Sequence, residues 1–527
     1  MISFLNINKT HKRIITISFF IGIFLFGLFI YRDYGLSWDE PISHINGRVT
    51  LAYLSEGNQF LWEYSERFYG VVVELPFALA ERLLSLDTSQ SLFFFRHIVT
   101  FILFIIGVFF FYLLCLERFK SRLLALLGST FLVLSPRIFA DAFYNSKDIP
   151  VMVFFIIAIY TFNQFFKNPS TKNIILHSLV TALIIATRIP GVFVLFLTVG
   201  MFLLNLITLP EFRVKWKKIL ISIGIYLAAT MAFTILLWPF LWQQPTAHFI
   251  EAFKDMSKFS RQLGMEVLYL GDFITSSKLP WHYIPVWILV TTPFLYLTLF
   301  FFGLGTIVKR FSSNFIDAYR QYWPDVSVVG WFFGPIIAVI LFKSVLYDGW
   351  RHLYFIYPAL IYIALIGIET TIKYIKTCKY KFHKVLRIIL ISVTLLQIST
   401  VSLFMIKNHP YQNVYFNFLA GGMDRAQDNF DLDYWGLSFR EGLEYIASND
   451  NDQVIPIYFA GGSLDNVLIL DPQIASRFKV INKVDILRAK YILSNYRWQN
   501  YRNLPFEREV YTVKVDGERI MSVFKVK

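Results

Sequence analysis

Two adjacent carboxylates, Asp39 and Glu40, lie in the sequence Trp38-Asp39-Glu40-Pro41, a few residues after an apolar stretch. A carboxylate held in this way could take the proton from a hydroxyl nucleophile and so act as a general base. A purely structural alternative exists, because an acidic residue just before a proline is also a favourable helix start. Both interpretations stay open on the sequence alone.

Three further segments place charged side chains between long apolar runs, where charges are costly and are often kept for function. Cations in such places can stabilise the negative charge of a departing phosphate group, although each could simply neutralise a nearby acid. The segments are 135–150, with Arg137, Asp141, Lys147 and Asp148; 187–191, with Arg188; and 347–352, with Asp348, Arg351 and His352.

The apolar runs identify an integral membrane protein. Hydrophobic residues make up 56% of the 527 positions and charged residues only 16%, whereas soluble domains carry about 25% charged residues. A membrane-spanning helix needs about 20 apolar residues. About eleven such helices are predicted, at 14–31, 92–116, 123–140, 149–166, 172–187, 190–208, 219–238, 284–307, 327–346, 353–372 and 386–406.

The basic residues predict the orientation. They cluster in every second connection between spans, which favours the cytoplasmic side under the positive-inside rule. The net charge of +14 is therefore topological, and no nucleic-acid partner is expected. The N-terminus is predicted inside, the C-terminus outside, and all four charged segments at the outer ends of helices. Cys115 and Cys378 fall near the cytoplasmic side, which argues against a disulfide framework.

The outer side is predicted to be elaborate. The membrane domain, residues 1–407, carries two long outer loops, 32–91 and 239–283. The first loop contains an amphipathic helix around 42–52, and the short charged segment 71–84 is expected to lie in the interface. Residues 408–527 are predicted to form a small extracytoplasmic α/β domain, since Asp516-Gly517 between two alternating runs is a strong hairpin signal.

Two weaker patterns suggest other chemistry. Asp431-Leu432-Asp433 matches a motif that binds metal–nucleotide sugars, but docking of the tail is the better interpretation, since no nucleotide sugar is expected outside. His44 could join the carboxylates at a divalent metal, although a position facing the interface is favoured. No metal and no cofactor is therefore predicted.

The sequence also resembles a known superfamily. The long first outer loop with Asp39-Glu40, the odd number of helices and the outer C-terminal domain resemble membrane-embedded C-type glycosyltransferases, which include protein O-mannosyltransferases and lipid A aminoarabinose transferases. A bacterial branch described as dolichyl-phosphate-mannose-protein mannosyltransferase-like is resembled by three stretches: LSPRIFADAFYNSKDIP (134–150), YDGWRHLYFIYP (347–358) and HPYQNVYFN…LDYWGLSFREGLEYI (409–446). The resemblance implies that fold, a polyprenyl-phosphate-linked sugar donor, and inversion at the anomeric carbon. The acceptor would be a glycan, lipid or protein hydroxyl at the outer face of the cytoplasmic membrane.

The same resemblance implies roles for the charged residues. Asp39 would be the base, Glu40 would support it and contact the acceptor, and Asp148 would be a secondary acidic site. The cation that meets the donor phosphate is left open among a set of five: Arg137, Lys147, Arg188, Arg351 and His352. Two other functions remain as alternatives, a polytopic transporter or flippase and an envelope polymerase or ligase that uses polyprenyl-pyrophosphate donors.

Overall fold

The computed structural model describes residues 9–258, 264–377, 380–461, 464–498 and 508–526. Helices dominate up to residue 407. They are α1 (Lys9–Ile30), α2 (Asp39–Glu56), α3 (Glu74–Leu83), α4 (Ser89–Phe119), α5 (Arg122–Val133), α6 (Pro136–Tyr144), α7 (Asp148–Lys167), α8 (Thr171–Ile185), α9 (Val192–Thr208), α10 (Pro210–Arg213), α11 (Trp216–Leu237), α12 (Pro245–Lys258), α13 (Tyr283–Thr291), α14 (Phe294–Ser313), α15 (Phe315–Leu341), α16 (Tyr357–Thr377) and α17 (Tyr380–Lys407).

These helices make the chain a multi-pass membrane protein. Within the described ranges, nine helices are long and apolar enough to cross a membrane. The pair α5 and α6, bent by 68° at its break, would add one span, and α8 is a shorter apolar helix. Each of the eleven predicted spans therefore corresponds to a helix or to a broken helix. Cys115 is buried in the bundle, while Cys378 lies outside the described residues.

Two predicted spans are broken rather than continuous, and both breaks fall at a proline. Ser135 precedes Pro136 and takes an extended conformation, because a residue before proline disfavours the helical region. The span predicted at 284–307 is interrupted before α14, which begins after Pro293. The carbonyls of Leu289 and Thr292, left free at that break, each accept a 2.6 Å hydrogen bond from the Asn417 side chain.

The two ends of the bundle hold separate sets of charges. At one end, the buried Asp325 accepts from Arg118 at 2.6 Å and from Arg310 at 2.7 Å, and Lys167 pairs with Glu117. This is the end at which the sequence predicts the cytoplasm. The charged segments with candidate chemistry lie at the opposite ends of their helices.

Helix α2 presents its apolar side outward. Ile42 and Ile45 are exposed, whereas Ser43, Asn46 and Thr50 are buried against the rest of the protein. An apolar outer face with a polar inner face suits a helix that lies at a lipid interface. This agrees with the helix that was predicted in the first outer loop.

The C-terminal part is a small sheet domain. Its helices are α18 (Gly422–Asn429), α19 (Phe439–Asn449) and α20 (Pro472–Ala475). A hairpin of β1 (Glu266–Tyr269) and β2 (Asp272–Thr275) comes from the second outer loop, and the five-stranded sheet, in the order β4-β3-β5-β7-β6, contains β3 (Ile455–Ala460), β4 (Phe478–Val480), β5 (Tyr491–Ser494), β6 (Arg508–Val515) and β7 (Glu518–Lys525).

The predicted hairpin at Asp516-Gly517 is present. Val515 pairs with Glu518, and the two turn residues have φ angles of 48° and 95°. Positive φ at both central positions is the type I′ requirement, which glycine meets without strain and aspartate tolerates. Helix α19 packs across this sheet, with the Tyr445 and Tyr511 rings stacked at 4.2 Å.

The orientation of the bundle can be tested with fusions. A periplasm-active or exterior-active reporter placed after Lys527 should be active, and the same reporter placed after Arg213 should be silent, because the basic residues around Arg213 favour the cytoplasm. A cytoplasmic reporter at the same two positions should give the opposite pattern. Activity of the first reporter at Arg213 alone would contradict the predicted orientation.

Candidate active site

Arg351 is the centre of a group of charges at the predicted outer end of the bundle. Its Nη1 lies 3.1 Å from Asp39 and 3.2 Å from Asp148, and its Nη2 lies 3.3 Å from Asp348. The three carboxylates come from α2, from α7 and from the segment before α16, so the fold joins residues more than 300 positions apart. The guanidinium also lies 4.5 Å from the Trp435 ring centroid.

Two further cations surround the same carboxylates. Nη1 of Arg188 lies 2.5 Å from Asp148, and Nζ of Lys147 lies 3.9 Å from Asp39. Lys147 stands directly before α7, and Arg188 stands in the turn between α8 and α9. Both turns are short, so the two side chains project from fixed helix ends.

A fourth cation comes from the C-terminal domain. Arg497, just beyond β5, forms an ion pair with Asp348 and donates to the Tyr434 carbonyl at 3.0 Å. Its guanidinium also lies 3.8 Å from the centroid of the Trp38 ring, next to Asp39 in the chain. The sheet domain is thereby tied to the site. We call the seven residues the charge cluster: Asp39, Lys147, Asp148, Arg188, Asp348, Arg351 and Arg497.

Asn145 holds Asp148 in place. Its amide donates to Asp148 at 3.0 Å and to Asp141 at 3.1 Å, while its carbonyl oxygen accepts from the backbone N–H of Asp148 at 2.8 Å. The carboxylate is therefore fixed at the first turn of α7, where an acidic group also interacts favourably with the helix dipole. Asp141 accepts in turn from Tyr144 at 2.6 Å and from Trp435 at 3.2 Å.

Asp39 is the carboxylate that a substrate can reach. Its side chain is 21% exposed, against 2% for Asp148 and 1% for Asp348. Burial raises the pKa of Asp39, but the nearby positive charges of Lys147 and Arg351 outweigh it, and the pKa lies below its ordinary value. Asp39 is therefore ionised at neutral pH and ready to accept a proton.

The charge cluster has an excess of positive charge. Its four Lys and Arg side chains face three carboxylates. Lys147 and Arg188 are 14% and 11% exposed, whereas Arg351 is only 1% exposed. An incoming anion can therefore reach Lys147 and Arg188 directly, while Arg351 is positioned to orient the carboxylates.

Glu40 points away from Asp39. Its carboxylate accepts from the backbone N–H of Ser37 at 2.9 Å and lies 3.0 Å from Nε2 of His97. This bond ties Glu40, in the first turn of α2, to the chain just before the helix. The alternative role considered for both acids, at the start of a helix, therefore applies to Glu40. The side chain of Trp38, the residue before α2, makes no capping hydrogen bond.

Two of the five predicted phosphate-binding cations, Arg137 and His352, form no ion pair in the described part of the chain, although His352 lies within electrostatic range of Lys147, Arg188 and Arg351. Nε of Arg137 donates to the Tyr415 carbonyl at 2.9 Å, and its guanidinium lies 4.5 Å from the Phe416 ring centroid. The arginine thus packs the membrane domain against the segment after α17. His352 follows Arg351 and packs edge-on against Tyr347, with ring centroids 4.8 Å apart.

No protein-family model and no curated protein matches the chain. Among solved structures, it is similar to ArnT from Cupriavidus metallidurans bound to undecaprenyl phosphate, at 12% identity and a TM-score of 0.48, over 96% of this chain and 97% of that one. It is also similar to the Archaeoglobus fulgidus oligosaccharyltransferase tethered to an acceptor peptide, at 12% identity and a TM-score of 0.46, over 91% and 69% of the chains.

A further similar structure is the oligosaccharyltransferase AglB of the same archaeon with an inhibitory peptide and dolichol-phosphate, at 10% identity and a TM-score of 0.42. It covers 91% of this chain and 70% of that one. At this degree of likeness, no residue role passes from these structures to this chain.

The weaker sequence patterns have structural contacts. Asp431 accepts from the backbone N–H of Leu268 at 3.2 Å, and Asp433 accepts from Ser438, as expected for docking of the tail. His44 lies 3.0 Å from Glu81 instead of facing the interface. Among the described residues, no three His, Cys, Asp or Glu side chains are grouped so that they could hold a metal ion.

Two groups of site residues were not predicted. Arg497 lies in the C-terminal domain, and no periodicity or residue spacing around it indicates a contact with the membrane domain. A second group lies behind α2, where Arg96 pairs with Glu74 and, at 3.0 Å, with Glu81. The sequence already indicated this group, because Arg96-His97 interrupts an apolar run that follows a short segment with two glutamates.

Arg497 gives a prediction that depends on pH. Burial raises the pKa of Asp348, while the charges of Arg497 and Arg351 oppose that rise. In Arg497→Met the pKa of Asp348 should therefore rise further. Above that pKa the ionised Asp348 draws Arg351 away from Asp39, so activity relative to the wild type should fall as pH increases and recover as pH decreases.

The measurement is the ratio of variant to wild-type turnover across the pH range, normalised to folded protein. Arg497→Lys keeps the charge and serves as the control, and Arg497→Met combined with Asp348→Asn removes both partners and should flatten the ratio. A ratio that is equally low at every pH in the single and double variants would mean that Arg497 only docks the sheet domain.

Proposed function

We propose that this protein is an inverting glycosyltransferase that moves a sugar from a polyprenyl-phosphate donor to an acceptor hydroxyl. The observation that carries the proposal is the charge cluster, in which one reachable, ionised carboxylate lies beside two reachable cations with an excess of positive charge. Its location at the predicted outer face of the cytoplasmic membrane lets a lipid tail lie along the helices while the phosphate meets the cations.

The reaction balances with these groups. The acceptor oxygen attacks the anomeric carbon of the sugar while the bond from that carbon to the phosphate oxygen breaks, which inverts the configuration. The hydroxyl proton passes to Asp39, and the electron pair of the broken bond leaves with the polyprenyl phosphate. Lys147 and Arg188 stabilise the charge that develops on the phosphate, and Arg351 holds Asp39 and Asp148 in position.

Donor binding also prepares the base. In the free protein Lys147 and Arg351 hold the pKa of Asp39 below its ordinary value. A bound phosphate attracts the same cations, so the pKa of Asp39 rises when donor arrives and the carboxylate becomes a stronger base.

A pyrophosphate-linked donor is the chemically nearest alternative. It carries two negative charges, against one for a sugar linked through a single phosphate, and the donor assay described below separates the two. A transporter or flippase would need polar groups along a conduit, and the charge cluster is confined to the predicted outer helix ends. No cofactor takes part in this scheme, so EDTA treatment is expected to leave turnover unchanged.

The function can be tested with purified protein in liposomes. Decaprenyl-phosphate-linked sugars are supplied together with an envelope extract from a strain that lacks the gene, and transfer of labelled sugar is followed. Label should move to an acceptor fraction with release of decaprenyl phosphate, and not when pyrophosphate-linked donors are used. Transfer from the pyrophosphate donors alone would replace this proposal with a polymerase or ligase.

A further inference from the structure

A second group of buried charges lies behind α2. Arg96, near the start of α4, pairs with Glu74 and lies 3.0 Å from Glu81, and both glutamates belong to α3. Glu81 also lies 3.0 Å from Nε2 of His44 on α2. The side chains of Arg96, Glu74 and Glu81 are all buried, so solvent does not screen their pairing. The group therefore joins α2, α3 and α4 beside the charge cluster.

Glu74 connects this second group to the charge cluster. Its Oε2 pairs with Arg96, while its Oε1 accepts a 2.7 Å hydrogen bond from Oγ of the buried Ser146. Ser146 stands directly before Lys147, and the backbone N–H of Lys147 donates to Oδ1 of Asn145 at 3.3 Å. The turn that carries Lys147 is thus held on one side through Asn145 and on the other through Glu74.

The contacts of the Lys147 ammonium group itself are long. Its Nζ lies 3.9 Å from Asp39, which exceeds a hydrogen-bond distance, and 4.6 Å from the centroid of the Tyr69 ring. A lysine side chain is also a flexible four-carbon stem. The position of the charge beside Asp39 therefore depends on the direction of the backbone at Ser146 and Lys147.

Stability alone does not explain why charges join these three helices. Burial raises the pKa of Glu81, but His44 and Arg96 outweigh it, so the pKa lies below its ordinary value and Glu81 is ionised at neutral pH. Apolar side chains of similar volume often stabilise a fold at least as well as buried ion pairs. The pairing with Arg96 does fix the direction of the Glu74 carboxylate, which faces Ser146.

We infer that Arg96, Glu74 and Ser146 form a positioning relay that keeps Lys147 beside Asp39. Arg96 fixes Glu74, Glu74 fixes Ser146, and Ser146 sets the direction of the chain at Lys147. The three side chains thus act through Lys147 and not on the substrate. The inference rests on the proposed function in one respect, the role of Lys147 in binding the donor phosphate.

Ser146→Ala tests the relay, because it removes one hydroxyl and leaves Glu74 paired with Arg96, so the protein should fold. The Kd for decaprenyl phosphate and the KM for a polyprenyl-phosphate sugar should both rise about three- to tenfold, the value of about one hydrogen bond. Lys147 lowers the pKa of Asp39, so its displacement raises that pKa and moves the acidic limb of kcat/KM toward neutral pH. In a Lys147→Met background, Ser146→Ala should change none of these quantities.

Ser135→Ala is the matched control. Ser135 is also a buried serine near the predicted outer helix ends, and its Oγ lies 2.7 Å from the Phe131 carbonyl oxygen and 2.8 Å from the Tyr357 hydroxyl. The same loss of a hydroxyl should lower the free energy of unfolding there, while the donor affinity and the acidic limb stay as in the wild type.

Two results would overturn the relay. In the first, Ser146→Ala is less stable but keeps the donor affinity and the acidic limb of the wild type, so the hydroxyl only holds the fold together. In the second, Ser146→Ala has the same effect with and without Lys147, so it does not act through that residue. A wild type that binds no decaprenyl phosphate would instead reject the proposed function.

Discussion

Arg188→Met and Lys147→Met should each raise the KM for a polyprenyl-phosphate donor by about ten- to a hundredfold, the value of a charge-assisted hydrogen bond. Both side chains are partly exposed to an incoming donor, and each lies beside a carboxylate of the charge cluster. The measurement is initial rate against donor concentration in liposomes. Lys407→Met, which removes an exposed lysine at the same end of the bundle, is the matched control and should leave KM unchanged.

Lys147→Met should also shift the pH profile of kcat/KM. Lys147 lowers the pKa of Asp39, so its removal raises that pKa, and Asp39 becomes protonated at a higher pH. The acidic limb of the profile should therefore move toward neutral pH, while Lys147→Arg should leave it in place. An unchanged limb together with an unchanged KM would remove Lys147 from the site.

The spans could be predicted because hydropathy and length dictate them. A helix of about 20 apolar residues is stable in the lipid core whatever tertiary contacts it makes. The two breaks were missed because apolar content continues through them, although Ser135-Pro136 and Thr292-Pro293 held the signal. Proline interrupts the helical hydrogen bonds of the backbone but leaves the hydropathy of the segment apolar. A search for apolar runs therefore does not detect the break.

The site could be predicted only in part. The charges of Asp39, Lys147, Asp148, Arg188, Asp348 and Arg351 stood out because each interrupts apolar sequence. Their pairings did not, since Arg351 meets Asp39 only after more than 300 residues have folded. Arg497 could not be predicted for a related reason. An arginine in a polar segment does not stand out, and Arg497 reaches Asp348 only when the C-terminal domain packs against the membrane domain.

The neighbouring acids Asp39 and Glu40 illustrate the same limit. Sequence alone offered both residues as base or as cap. The structure separates them, because Glu40 is enclosed by Ser37 and His97, while Asp39 stays reachable beside Lys147 and Arg351. Side-chain direction on the first helical turn decides the difference, and two adjacent positions on a helix point about 100° apart.

Asp39→Asn should lower transfer at least a hundredfold, because a positioned general base contributes about 10²- to 10⁴-fold and an amide cannot take the proton. The shape of the side chain is kept, and no cap of α2 is lost, so the variant should insert and fold normally. Removing one negative charge leaves the charge cluster more positive, and decaprenyl phosphate should bind at least as well as it does to the wild type.

Glu40→Gln is the matched control, since it makes the same chemical change one residue away. It should lower stability through the lost contacts with Ser37 and His97, while transfer per folded molecule stays within about tenfold of the wild type. The measurement is transfer from a polyprenyl-phosphate sugar, normalised to folded protein by size-exclusion chromatography. Near-normal transfer by Asp39→Asn, or an equal loss in both variants, would show that Asp39 does not act as the base.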